Sequence, residues 1–326
     1  MPATAKQKIM PDSFAVGILL AIGISLFIYL LSGVLFPFIF LLPLPLLVFS
    51  FNRGISAGLA ATALVSCGLF FSAGGSDILP LITALSAGLA GSLIINILRK
   101  NPEAPKIGLI LLIVPLVVVP SAMFGAEYLT GSSVKVYAEQ AYANLEQGIN
   151  TMMNEQGIAA GNREEIGYML KNAEWLLVNL YPALFAAIAV IAILISLAVA
   201  DRYSPVLMGD QMKWPKFRSI RLPEPSILLF VFSGAGVLFA KGEAQFVLSN
   251  LLAFAIFIFL VQGLALLSFL NHTFGIKPFM QTLIYLALLM IPFNIFLLSA
   301  FGMLDVWIPM RKKIEDLHHK LTEDFE

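Results

Sequence analysis

Apolar residues run along this chain in long blocks, and polar residues interrupt them in short clusters. A block needs about 20 residues to cross a bilayer as a helix. By that measure the pattern predicts nine membrane segments, at about 13–35, 37–51, 54–72, 78–98, 107–126, 174–200, 225–240, 246–270 and 278–304. None carries a formal charge in its interior. The connection at 127–172 differs: it is polar, mildly acidic and helical in pattern. Val134, Tyr137, Ala141, Leu145, Ile149 and Met152 recur on one helical face. Asn162 followed by Glu165 has the spacing of a capping box opening a helix into the sixth segment.

Composition agrees. Hydrophobic residues are 59% and charged residues 12% of 326, against roughly 45–50% and 25% in soluble domains, and mean hydropathy is +0.89. The expected fold class is an all-α, polytopic transmembrane bundle with an extracytoplasmic helical hairpin. Zero net charge leaves no basic footprint for nucleic acid. The single Cys67 excludes an intramolecular disulfide and a cysteine metal cluster. After Lys6 and Lys8 the first apolar run is too long for a cleaved leader, so it is expected to stay as a signal anchor.

Charge then orients the segments. Arg99, Lys100 and Lys106 fill one loop, and Arg202, Lys213, Lys216, Arg218 and Arg221 another. Both belong in the cytoplasm by the positive-inside bias, which puts 127–172 outside. The tail conflicts with this count. Nine spans put it outside, yet Arg311, Lys312 and Lys313 follow the last one. Either 225–240 or the Pro292-broken stretch 278–304 would then enter without crossing. Pro43 and Pro45 raise a similar choice for 37–51: a kinked span, or non-helical backbone buried in protein.

Candidate chemistry is sparse. Small residues at four-residue spacing (Gly17, Ala21 and Ser25; Gly54 and Gly58; Gly88, with Gly91 nearby) mark helix-packing seams, or in one case a partner-docking face. Uncharged polar residues inside the segments are Asn96, Asn179, Asn250, Gln262 and Asn294. They serve as glue between helices or line a small-molecule site. Trp214, Arg218, Arg221 and Pro223 form an interfacial cluster suited to anchoring at headgroup level. Trp307 reads as an interfacial anchor. Asp305 and Arg311 lie too far apart to share a face on one helix, so Asp305 is expected to meet a group from elsewhere. No nucleophile, base or metal-ligand pattern stands in the segments, and no P-loop. An enzyme is not expected, nor a cofactor or metal. The expected partners are membrane lipids, with a small-molecule ligand or another membrane protein.

Phe217–Pro223, Ser249-Asn250, Val261-Gln262-Gly263-Leu264-Ala265 and Gly302-Met-Leu-Asp305-Val-Trp307 with Arg311 resemble the YybS-like family of bacterial polytopic membrane proteins. Trp307-Ile308-Pro309-Met310 departs from that family's Trp-Phe and further acidic residue. The first six segments are similar to substrate-binding subunits of energy-coupling-factor transporters and to the rod-shape protein MreD. That resemblance implies a six-segment core over 1–200, followed by a basic loop at 201–224, three segments at 225–309 and a charged tail at 310–326. It also implies the bacterial cytoplasmic membrane, and a non-enzymatic protein that binds a small molecule or lipid in association with transport. The alternative is a scaffold of an envelope or division complex.

Overall fold

The computed structural model describes residues 14–34, 36–72, 84–86, 88–94, 104–131, 133–155, 160–207, 216–308 and 310–323. Among these residues every regular element is a helix. In the first half they are α1 (Phe14–Val34), α2 (Leu44–Arg53), α3 (Ile55–Ser72), α4 (Ala104–Thr130), α5 (Val134–Glu155), α6 (Ala160–Asn179) and α7 (Tyr181–Leu207). Then follow α8 (Ser226–Phe239), α9 (Glu243–Thr273), α10 (Pro278–Met290), α11 (Pro292–Trp307) and α12 (Met310–Glu323).

The structure does not confirm nine spans. Among the described residues three helices are long and apolar enough to cross a membrane: Ile107–Tyr128, Tyr181–Tyr203 and Glu243–Thr273. A fourth is possible if the bent pair Pro278–Leu288 and Phe293–Trp307 counts as one. Val16–Leu31, Ile55–Phe71, Ala84–Ile94 and Ser226–Phe239 are shorter apolar helices. Hydropathy measures only how long a block is; breaks inside a block, set by proline and packing, decide how much of it is one helix.

The second predicted segment is such a case. Phe36–Leu41 is a 3₁₀ turn and α2 starts only after Pro43, which leaves ten helical residues. Leu42, Leu46, Leu47 and Phe49 are all at most 1% exposed. The short helix that follows the break is thus packed inside the protein.

Small residues knit the first half. Gly17, Ala21 and Ser25 are buried and face α3 and the 3₁₀ turn, while Leu19, Phe27 and Leu30 of α1 point outward. That stripe is a packing seam. Gly58 lies against Ser50, whose hydroxyl hydrogen-bonds that of Ser92 at 2.7 Å. A Cβ on Gly88 would meet Thr62, and one on Gly91 would press on Leu47 at 3.2 Å. Gly54 is a correction. A Cβ there would meet no atom within 4 Å, and Gly54 instead ends α2 with φ +92° and ψ 173°, a region open essentially only to glycine.

The hairpin α5–α6 also differs in detail. Its inward residues include Val134, Ala138, Tyr142, Ile149 and Met153, while Leu145 and Met152 are exposed. The apolar stripe is therefore rotated from the predicted one. The described part of α6 begins at Ala160, so the Asn162 backbone already lies within the helix.

A second core joins α4, α7, α8 and α9 through Leu111, Val119, Val190, Ile193, Phe254 and Phe259. The rings of Phe230 and Phe259 meet edge to face at 6.2 Å. α9 and α11 touch backbone to backbone. A Cβ on Gly263 would collide with the Leu298 carbonyl, and one on Gly302 with that of Phe259.

The route of the last helices bears on the tail. α10 and α11 meet at a bend of 112° at Ile291. α10 leaves the C-terminal end of α9, and the Arg311 guanidinium, just past α11, lies 5.8 Å from the Phe269 ring near that same end. Arg311 also binds carbonyls of the basic loop, at Arg218 and Ile220. The bent pair therefore starts and finishes at one end of α9, and the basic tail lies beside the basic loop. This geometry fits the alternative in which the Pro292-broken stretch enters without crossing.

Candidate binding site

Three long helices frame a cavity of about 460 Å³. α4 contributes its half from Pro115 to Glu127, α7 its first turns from Tyr181, and α9 its first turns from Glu243. Met123, Phe124, Phe246, Val247, Leu251 and Phe254 make most of the wall apolar. Small-molecule sites typically measure about 300–1,000 Å³ and have such walls.

Proline and asparagine together shape the α7 side. Pro182 has no N–H to continue the helix from α6, so the ladder opens there. In an unbroken helix the Ala183 N–H would bond the Asn179 carbonyl. Instead the Asn250 amide from α9 sits between them. Its Oδ1 accepts the Ala183 N–H at 3.1 Å, and its Nδ2 donates to the Asn179 carbonyl at 2.8 Å and to Phe246 at 2.9 Å. A side chain inserted into the ladder in this way fixes the break.

The rim is polar. Glu127 Oε1 accepts the Ser133 hydroxyl and the Val134 N–H, both at 2.9 Å, and so ties the end of α4 to the start of the hairpin. Glu243 opens α9. Tyr181 packs against Phe246, with ring centroids 5.8 Å apart.

Of the four described polar residues expected inside the segments, only Asn250 lines this cavity, and its amide is spent on backbone. Asn179 contributes its carbonyl, its own amide donating to Trp175 at 3.0 Å. Asn294 stands half-buried in the first turn of α11, away from the cavity. Asn96 and Trp214 lie outside the described residues. Glu127, Tyr181 and Glu243 were missed. Their signal was available, since each sits near the end of an apolar block that the charge pattern places on the same side.

Gln262 and the interfacial residues build a separate node. Gln262 is 1% exposed; its Oε1 accepts the Leu222 N–H at 3.1 Å and its Nε2 donates to Asp305 Oδ2 at 2.6 Å. The same Oδ2 accepts from Arg311 Nε at 3.1 Å and from a terminal nitrogen at 2.8 Å. Asp305 and Arg311 thus pair after all, against the helical-spacing argument. α11 ends at Ile308, whose extended backbone turns the chain so that Arg311 comes back under Asp305. Asp305 also falls inside α11, so this apolar stretch does hold a buried charge. Burial lowers the Arg311 pKa from its ordinary value, and the Asp305 carboxylate opposes that change.

Arg218 serves here through its carbonyl and Ile220 likewise. The Pro223 carbonyl accepts the Ser226 N–H at the start of α8 at 2.9 Å. Arg221 and Trp307 are exposed, Trp307 by 64%. A Cβ on Gly108 would collide with the Arg221 carbonyl, so α4 also rests on this loop. Among the described residues, no group of three His, Cys, Asp or Glu comes together to hold a metal.

Apolar helices of spanning length, joined by buried polar contacts, define an all-α multi-pass membrane protein. The family model described as predicted membrane protein (DUF2232) matches residues 18–306, and the chain belongs to that family. Comparison with curated proteins and with solved structures finds no match.

Proposed function

We propose that this protein binds a small molecule or lipid, without enzymatic chemistry, in association with transport across the bacterial cytoplasmic membrane. The observation that carries the reading is the apolar cavity of about 460 Å³ between α4, α7 and α9. Its size and mostly apolar lining, with a polar rim, match those of small-molecule sites. The absence of a P-loop leaves energy to a partner, or makes the role one of binding alone. The resemblance to YybS-like proteins and to energy-coupling-factor substrate subunits supports this reading. A scaffold docking through the first helix would need Gly17, Ala21 and Ser25 exposed. Those residues are buried, which favours ligand binding.

The test is mass spectrometry of small molecules extracted from the purified protein, wild type against Ala186→Phe. Ala186 lines the cavity, and the larger ring would fill part of it. The wild type is expected to carry a molecule that the variant, still helical by circular dichroism, lacks. Equal recovery from both, or recovery from neither, would refute the site.

A further inference from the structure

The chemistry of the rim says what kind of molecule the cavity takes. Glu127 and Glu243 both line it, and neither forms an ion pair among the described residues. Two carboxylates at the mouth of a low-dielectric cavity repel each other and attract a cation. Tyr181 adds an independent sign. It is 8% exposed and lines the cavity, yet its hydroxyl has no hydrogen-bond partner among the described residues. The hydroxyl is reachable, so it is free to donate to or accept from a molecule bound in the cavity. The Tyr181 and Phe246 rings, tilted 45° to each other, also offer aromatic faces, which bind organic cations.

We infer that the cavity accepts an amphiphile with a positively charged ammonium head and an apolar body. This rests on the cavity being a binding site at all. The head sits between Glu127 and Glu243 beside Tyr181, and the body lies among Met123, Leu251 and Phe254. Glu127 already uses Oε1 to cap the hairpin. Occupancy would therefore be felt at the start of α5.

The probe pair is tetraphenylphosphonium and tetraphenylborate, two ions of nearly the same shape and opposite charge. Their binding is measured by equilibrium dialysis against the full chain in uncharged dodecyl maltoside micelles, with empty micelles subtracted. Tetraphenylphosphonium is expected to bind saturably and tetraphenylborate not. Glu127→Gln keeps the Oε1 acceptor that caps α5, so the fold is retained. Glu127→Gln and Glu243→Gln are each expected to weaken phosphonium binding about fivefold, and the double variant about 25-fold. Competition by phosphatidylethanolamine identifies a lipid headgroup as the source of the ammonium. Competition by dodecyltrimethylammonium alone identifies a free amphiphile. Equal binding of the two ions, or an unchanged double variant, overturns the cation while leaving the cavity reading intact, provided that Ala186→Phe abolishes binding. If Ala186→Phe changes neither ion's binding, the cavity itself falls as the site.

Discussion

Arg311→Met tests the buried node that joins tail, basic loop and membrane helices. Arg311 is 3% exposed and Asp305 5%. The substitution keeps an apolar stem and deletes every guanidinium bond: two to Asp305 Oδ2, and one each to the carbonyls of Arg218 and Ile220. Asp305 would retain only the Gln262 amide, and its Oδ1 already has no partner. Removing one member of a buried pair in this way costs about 3–5 kcal/mol, because the other charge is stranded. The loop at 217–222 would then keep the Leu222 N–H bond to Gln262 and the burial of Ile220 and Leu222. A loss of about 3 kcal/mol raises the open population on the order of a hundredfold. Hydrogen exchange followed by mass spectrometry on peptides covering 216–224 reads that change directly. If most of the cost is the stranded carboxylate, Asp305→Asn added to Arg311→Met should restore part of the melting temperature. Wild-type exchange at 216–224 in Arg311→Met, or a further loss in the double variant, would refute the node as the loop's anchor.

Other predictions follow from close contacts and caps. Gly263→Ala and Gly302→Ala should each cost about 1–3 kcal/mol by forcing α9 and α11 apart. Gly234→Ala, with Leu252 Cδ1 3.7 Å from the added carbon, should leave the melting temperature unchanged or raise it; equal effects at all three positions would contradict the packing. Asn250→Leu should lower stability by about 1–3 kcal/mol by stranding the Ala183 N–H and the Asn179 carbonyl. Asn250→Asp keeps the acceptor and loses both donated bonds, so thermal melting should rank it no better than half restored. Gly54→Ala should cost about 1–3 kcal/mol from backbone strain alone, whereas Gly148→Ala, in open space on α5, should not destabilise.

Much of the fold was legible because lipid simplifies the code. A block that is apolar on every face has few alternatives to a membrane helix, so the blocks around α4, α7 and α9 could be placed within several residues. Breaks were harder. Pro43 and Pro182 both signal trouble for a helix, but the consequence depends on the neighbour. At Pro43 the chain resumes as a short helix whose Leu46, Leu47 and Phe49 are buried. At Pro182 one asparagine from a distant helix bridges the gap. Gln262 was correctly singled out as a buried polar residue needing a partner, yet its partners come from 40 residues before and 43 after it. No local pattern encodes them.

Sequence by itself determined membrane residence, helical class and which end of the chain's helices carries the basic loops. Those properties depend on composition and on the length of apolar runs, which are local. Tertiary structure decided which polar residues meet, because a hydrogen bond is formed across space between elements far apart in the chain. It turned Asp305 and Arg311 into a pair by ending a helix between them. It also gathered Glu127, Tyr181 and Glu243, from three separate helix ends, around one cavity.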